Sequence, residues 1–117
     1  MSLALFETYS VSDEDSKDSR LHPAISKQSV PFLMDRITKR FEKEGYSLKE
    51  RNEDYQELLL VDESYSLTFH FLKEEGAKVK IGVSVYAPSK RGKTRNKLME
   101  SLAILKNLVE ENKTYSR

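Results

Sequence analysis

Two segments in the middle of the chain alternate strictly between apolar and polar residues. Apolar side chains occupy every second position from 65 to 71 and again from 79 to 85, with Ser, Thr, His, Lys and Gly between them. Period two is the repeat of a β-strand, so each segment predicts a strand with one buried side. Strands of parallel sheets are apolar on both faces. The alternation therefore predicts an antiparallel sheet that is covered on one side only.

Two further strands precede this pair. Segments 46–50 and 56–61 flank a turn-rich stretch at 51–54, as in a β-hairpin, and polar turns at 62–64 and 74–76 separate the later strands. Together they predict an antiparallel meander of about four strands, which ends at Pro88.

The residues before the meander predict a helix over 29–44. Ser29 is suited to cap its N-terminus, and apolar residues then recur at helical spacing. Gly45 can adopt the left-handed conformation that ends a helix, and Tyr46 can fold back on Phe41, as in a Schellman motif.

A second helix is expected from about residue 94 to about residue 112, because a wide apolar stripe recurs there at helical spacing. The order α-β-β-β-β-α predicts a two-layer α+β domain with both helices on one face of the sheet. The expected shared core comprises Ile37, Phe41, Leu67, Phe69, Val79, Ile81, Val83, Leu102 and Leu105.

A chain of 117 residues is long enough for one domain with an unaided core, which we assign to 29–117. Residues 1–28 are rich in Ser and Asp and predict a polar segment that is partly docked or flexible, with Tyr9 and Val11 at strand spacing. No apolar run is long enough for a transmembrane span or a signal peptide, and there is no cysteine. We therefore expect a soluble, cytoplasmic protein.

Positive charge is concentrated near the C-terminus. Residues 87–117 contain 8 basic and 3 acidic side chains, and a cluster of cations lies within 90–97. A basic turn that leads into a helix N-terminus can bind a phosphate group. The candidate phosphate- or nucleic-acid-binding residues are Lys90, Arg91, Lys93, Thr94, Arg95 and Lys97. The alternative is a solvated loop that keeps the protein soluble.

The same loop resembles the end of a nucleotide-binding P-loop, because Gly92-Lys93-Thr94 lies between a strand and a helix. However, Ala87 stands at the position of the first glycine of that motif, and Pro88 lacks the N–H that a phosphate cradle needs. Too little chain follows for the next parallel strand. These departures argue against binding or hydrolysis of ATP or GTP.

Residues suited to catalysis are few. His22 and His70 are the only imidazoles, and with no cysteine present we predict no metal site and no cofactor. His70 falls on the polar side of its strand, where it could act as a general base, but a plain surface residue is the more common case. No serine has a base that the sequence places beside it. We predict no catalytic residues and no enzymatic activity.

Two functional hypotheses remain. The first is a small protein-interaction or regulatory module, possibly a homodimer, because one sheet face is expected to be uncovered and sheet edges invite pairing. The second is a module that binds the phosphate backbone of nucleic acid through the basic loop 90–97. Neither hypothesis involves a membrane.

Overall fold

The computed structural model describes residues 8–87 and 93–115, with side chains up to residue 109. The first helix, α1, spans Val30–Glu42, and the second, α2, spans Thr94–Tyr115. The six strands are β1 (Tyr9–Val11), β2 (Ala24–Ser26), β3 (Ser47–Asn52), β4 (Glu57–Val61), β5 (Ser66–Glu74) and β6 (Lys78–Tyr86). A single 3₁₀ turn at Ser19–Leu21 lies between β1 and β2.

The strands form one antiparallel sheet in the order β1, β6, β5, β4, β3, and β2 also pairs with β6. Strands β3 to β6 are consecutive neighbours, so the predicted meander and the α+β class are confirmed. No helix in the part of the chain that the structure describes is both long and apolar enough to cross a membrane.

The prediction of about four strands was too low, because the polar N-terminal segment contributes two more. Strand β1 pairs with the end of β6 (Tyr9 opposite Tyr86), and β2 pairs with its beginning (Ala24 opposite Ile81). Between them, the Ser12 N–H donates to the Val83 carbonyl, and the Ser12 hydroxyl accepts from the Val83 N–H at 3.1 Å. An exposed β6 edge would leave its backbone groups unpaired, so the N-terminal segment completes the sheet.

The ends of α1 follow the sequence signals. The Ser29 side chain accepts from the N–H of Phe32 at 3.3 Å and so caps the N-terminus. At the other end, the Tyr46 N–H bonds to the Phe41 carbonyl and the Gly45 N–H to that of Glu42, which is the Schellman pattern. Gly45 has φ of 98°, which L-residues rarely adopt, and this explains the glycine.

All nine residues of the predicted core are buried in one cluster, and that prediction is confirmed. Phe69 on β5 meets the ring of Phe41 on α1 edge to face, with 5.2 Å between ring centroids, and Phe41 meets Tyr46 in the same way at 5.9 Å. Helix α1 packs over β3 and β4, whereas α2 packs over β6, β1 and β2. The apolar side of the sheet faces these helices, so neither α1 nor α2 lies over its other side.

Candidate functional site

The side of the sheet away from the helices carries the even-numbered residues of β5 and β6 and their cross-strand partners. We call this surface the open face. Directly opposed residues of antiparallel strands share a face, so the register assigns its members. They include Tyr9, Val11, Ile25, Glu57, Leu59, Ser66, Thr68, His70, Leu72, Lys80, Gly82, Ser84 and Tyr86.

Large apolar side chains are exposed at both ends of the open face. Tyr9 and Tyr86 lie opposite each other at one end and are 57% and 49% exposed, with Val11 beside them. At the other end, Leu72 and Ile25 flank Lys80 from its two sides and are 57% and 48% exposed. Single exposed apolar residues are common on protein surfaces, but clusters of them mark interaction sites.

The charge of Lys80 is balanced within the chain. Its ammonium group lies 2.6 Å from a carboxylate oxygen of Glu14 and 3.0 Å from one of Glu74. The hydrogen bond to Glu14, followed by that to Glu74, raises the pKa of Lys80 above its ordinary value. The cation between the two apolar residues Leu72 and Ile25 is therefore already partnered, which lowers the cost of covering it with another surface.

A serine, a histidine and a glutamate form a hydrogen-bonded row in the middle of the open face. The Nε2 atom of His70 lies 3.2 Å from Ser84 Oγ, and its Nδ1 atom lies 3.1 Å from a carboxylate oxygen of Glu57. The Tyr9 hydroxyl donates to the same serine oxygen at 3.5 Å. The order of nucleophile, base and carboxylate is that of a hydrolase triad.

Among the residues that the structure describes, neither an oxyanion hole nor a substrate-sized pocket adjoins this row. Ser84 is only 6% exposed, and β6 is paired on both sides at this position, so the sheet uses its backbone N–H groups. An oxyanion hole needs unpaired donors beside the nucleophile. A hollow next to Glu57, lined also by Glu50, Leu59 and Thr68, encloses only about 90 Å³. Ligand pockets are usually several times larger than this hollow.

The structure describes four of the six predicted phosphate-binding residues, since Lys90 and Arg91 lie outside the described residues. Lys93 is exposed, just before α2. Thr94 is fully buried, and its hydroxyl lies 2.8 Å from Ser10 Oγ, so it ties α2 to the N-terminal segment. The guanidinium group of Arg95 is 3.8 Å from a carboxylate oxygen of Asp18 and remains about half exposed.

Lys97 turns toward the protein. Its ammonium group lies 4.9 Å from the ring centroid of Tyr65 and 3.2 Å from a carboxylate oxygen of Glu100. Burial by itself would lower the pKa of Lys97, but the bond to Glu100 and the nearby Tyr46 outweigh it and raise the pKa. Lys93 and Arg95 are thus the described members of the basic cluster that remain directed to solvent.

The other histidine has a structural environment. His22 donates from Nε2 to the backbone carbonyl of Ser16 at 2.7 Å and so closes the loop between β1 and β2. Within residues 8–87 and 93–109, no three His, Asp or Glu side chains are grouped closely enough to hold a metal ion.

Sequence reasoning considered His70 but missed its two partners. Glu57, His70 and Ser84 lie on three different strands, and the exact register brings them together: Glu57 is opposite His70, and His70 is opposite Gly82, two positions from Ser84. Polar-side positions on three consecutive predicted strands are the only signal that the sequence offers.

No model of a known protein family matches the chain, and no curated protein is similar to it. Its function therefore has to be inferred from the geometry of the described residues.

Proposed function

We propose that this protein is a non-enzymatic protein-interaction module that pairs with a second copy of itself through the open face. The observation that carries the proposal is the pair of exposed apolar ends, Tyr9 with Tyr86 and Leu72 with Ile25, on a sheet face that neither described helix covers. Burying such side chains is the main favourable term in protein association.

The two ends are arranged for a twofold contact. They lie six residues apart along β6, which is about 20 Å at the rise of a strand. Two copies can place their open faces together with a twofold axis between the sheets, perpendicular to the strands. The tyrosine end of one copy then lies over the Leu72 end of the other. Sheets that pack face to face keep their strands within about 30° of each other and lie about 10 Å apart, which this arrangement permits.

The size of the open face suits an interface. The face is roughly 20 Å wide across five strands, and its two longest strands, β5 and β6, have nine residues or about 30 Å, so it covers at most roughly 600 Å² in projection. Side-chain relief increases this area toward the ~800 Å² that each partner contributes to a standard interface. The middle of the face carries small groups at Gly82, Ser84 and Thr68, which permit close approach.

Pairing at the outer edges is a weaker explanation of self-association. Strand β3 forms one edge, but its Lys, Glu and Arg side chains and a register shift between Leu48 and Glu50 are features that protect edges. The other edge consists of two three-residue strands, β1 and β2, with a break between them. The face offers a larger continuous surface than either edge.

Sedimentation velocity over a range of protein concentrations tests the proposal. Wild type should show a concentration-dependent monomer–dimer equilibrium, and the double variant Leu72→Ser/Tyr86→Ser should shift it strongly toward monomer. The matched control is Phe32→Ser, because Phe32 is 43% exposed on α1, which packs on the opposite side of the sheet from the open face. A wild type that stays monomeric, or a control that dissociates equally, would refute self-association through this face.

Nucleic-acid binding through loop 90–97 stays a prediction and our second candidate. The exposed Lys93 and the half-exposed Arg95 support it, whereas the buried Thr94 hydroxyl counts against a phosphate cradle. Backbone contacts by these cations would give log affinity a slope of about −3 to −4 against log salt. Arg91→Ser/Lys93→Ser should then flatten the slope by roughly 2, and no retention of DNA or RNA at low salt would remove this candidate.

A further inference from the structure

Helix α1 carries four cations along one side. Arg36, Lys39, Arg40 and Lys43 follow the spacing i, i+3, i+4 and i+7, which places them on a single helical face. They line a groove between the two helices, on the side of the molecule opposite the open face. The wall from α2 consists of Ile104, Asn107 and Leu108, and the groove encloses about 450 Å³.

The positive charge of this groove is only partly balanced. Arg36 lies over the ring of Phe32, 5.7 Å from its centroid, and Arg40 lies 2.6 Å from a carboxylate oxygen of Glu44. Lys39 and Lys43 are exposed, and neither forms an ion pair with any residue that the structure describes. An anionic group in the groove would therefore find two cations that are not already neutralised.

The α2 side of the groove adds apolar surface. Leu108 is nearly buried and Ile104 is partly buried against the core, so both side chains give the α2 wall an aliphatic surface that faces the cations. Asn107 gives this wall a neutral amide, and none of its described side chains is charged. A ligand that matches both parts needs carboxylates or other anions on one side and aliphatic groups on the other.

The dimensions distinguish between classes of anionic ligand. The cations span eight residues, 36–43, from α1 to its C-cap, which is a rise of about 10 Å, and they lie on one wall only. Single-stranded nucleic acid is usually bound by a longer basic track with aromatic rings for stacking, and none of the lining residues whose side chains the structure describes is aromatic. Two turns of an amphipathic helix match both the length of the row of cations and the apolar surface of the α2 wall.

We propose that the groove between α1 and α2 binds an acidic amphipathic peptide segment of another protein. Its carboxylates would lie along Lys39 and Lys43, and its aliphatic side chains would pack on Ile104 and Leu108. This site is independent of the open face, so the protein could connect a second copy on one side to an acidic partner on the other.

Fluorescence anisotropy with defined probes tests the proposal. The first probe is a labelled peptide of about three helical turns, with Leu at every third or fourth position and Glu or Ala elsewhere. The second has the same composition in an order that spreads Leu around the helix, and the third is a single-stranded RNA of similar length. Wild type should bind the first probe saturably, at least about tenfold more tightly than either of the others.

Charge reversal locates the binding. Lys39→Glu/Lys43→Glu should weaken binding of the first peptide at least about tenfold, because both unbalanced cations are replaced by repelling charges. Lys17→Glu/Lys73→Glu changes the net charge equally at exposed lysines elsewhere and should leave affinity within about twofold.

Amide chemical shifts of the wild-type protein give a second readout that needs no variant. On titration with the first peptide, the largest changes should fall in 36–43 and 104–108. Absence of saturable binding, equal binding of the reordered peptide, tighter binding of the RNA, equal weakening by both double variants, or shift changes confined to other residues would each overturn the proposal.

Discussion

Replacing Phe69 by Ala should destabilise the protein more than most single substitutions. Phe69 has no exposed surface, lies on the central strand β5 and meets Phe41 of α1 edge to face at 5.2 Å. Truncation of a buried Phe costs about 3–5 kcal/mol, of which the aromatic pair contributes about 0.5–1.5 kcal/mol. Domains of this size have unfolding free energies of roughly 5–15 kcal/mol, so the variant should remain folded but marginal.

Urea unfolding followed by far-ultraviolet circular dichroism measures this loss. With a slope of about 1.5 kcal/mol per molar urea, the midpoint should fall by about 2–3 M while the slope stays constant. A double-mutant cycle of Phe41→Leu and Phe69→Leu isolates the ring contact and should give a coupling of about 0.5–1.5 kcal/mol. A loss below about 1 kcal/mol for Phe69→Ala, or no coupling, would refute the ring contact between Phe41 of α1 and Phe69 of β5.

Three further predictions concern the hydrogen-bonded row, a turn and an ion pair. Cleavage of p-nitrophenyl acetate should be the same for wild type and Ser84→Ala, because donors for an oxyanion are lacking; a large loss in the variant would indicate catalysis by Ser84. Ala77→Gly should stabilise the β5–β6 turn by about 0.5–1 kcal/mol in urea unfolding, because Ala77 has φ of 62°; destabilisation would argue against this backbone conformation. The hydrogen bonds from Arg20 lower the pKa of Asp18 from 3.8 to about 2, so this pair stabilises the fold above about pH 4 and the contribution is lost as pH falls toward 2. A carboxyl titration by NMR should show that midpoint in wild type and a higher one in Arg20→Gln, whereas equal midpoints would contradict the pairing.

The sequence predicted the elements that are specified by neighbouring residues or by a periodic pattern. The cap at Ser29 and the left-handed Gly45 define α1 within two residues of its observed ends, because capping depends on neighbours in the chain. The alternation at 65–71 and 79–85 predicted the buried side of β5 and β6, because one face of a half-covered sheet has to be apolar.

The two N-terminal strands could not be counted from the sequence. Strands β1 and β2 have three residues each, too few for a clear periodic pattern, and they are stabilised by pairing with β6 more than 50 positions away. The Ser- and Asp-rich composition around them is typical of solvated chain. Tyr9 and Val11 were the only hint, and their spacing matches β1.

The candidate sites could not be predicted either, because each combines residues that are far apart in the chain. The row of Glu57, His70 and Ser84 depends on strand register, which polar patterning alone does not specify. The cations of α1 recur at helical spacing in the sequence, but that spacing alone is typical of ordinary surface ion pairs. It could not show that Ile104 and Leu108 would form the opposite wall of a groove, because that depends on how the two helices pack.

The most direct test of the proposed dimer uses cysteine cross-linking, since the natural chain has no cysteine. A mixture of the single variants Leu72→Cys and Tyr86→Cys, treated with a short bismaleimide, should give mainly mixed dimers, because the twofold contact places each end of the open face over the other end of its partner. Each variant alone should cross-link poorly, as should Phe32→Cys mixed with either, because Phe32 is exposed on α1, on the other side of the sheet. If the mixed pair gives no more dimer than the Phe32→Cys control, the open face does not join two copies of this protein.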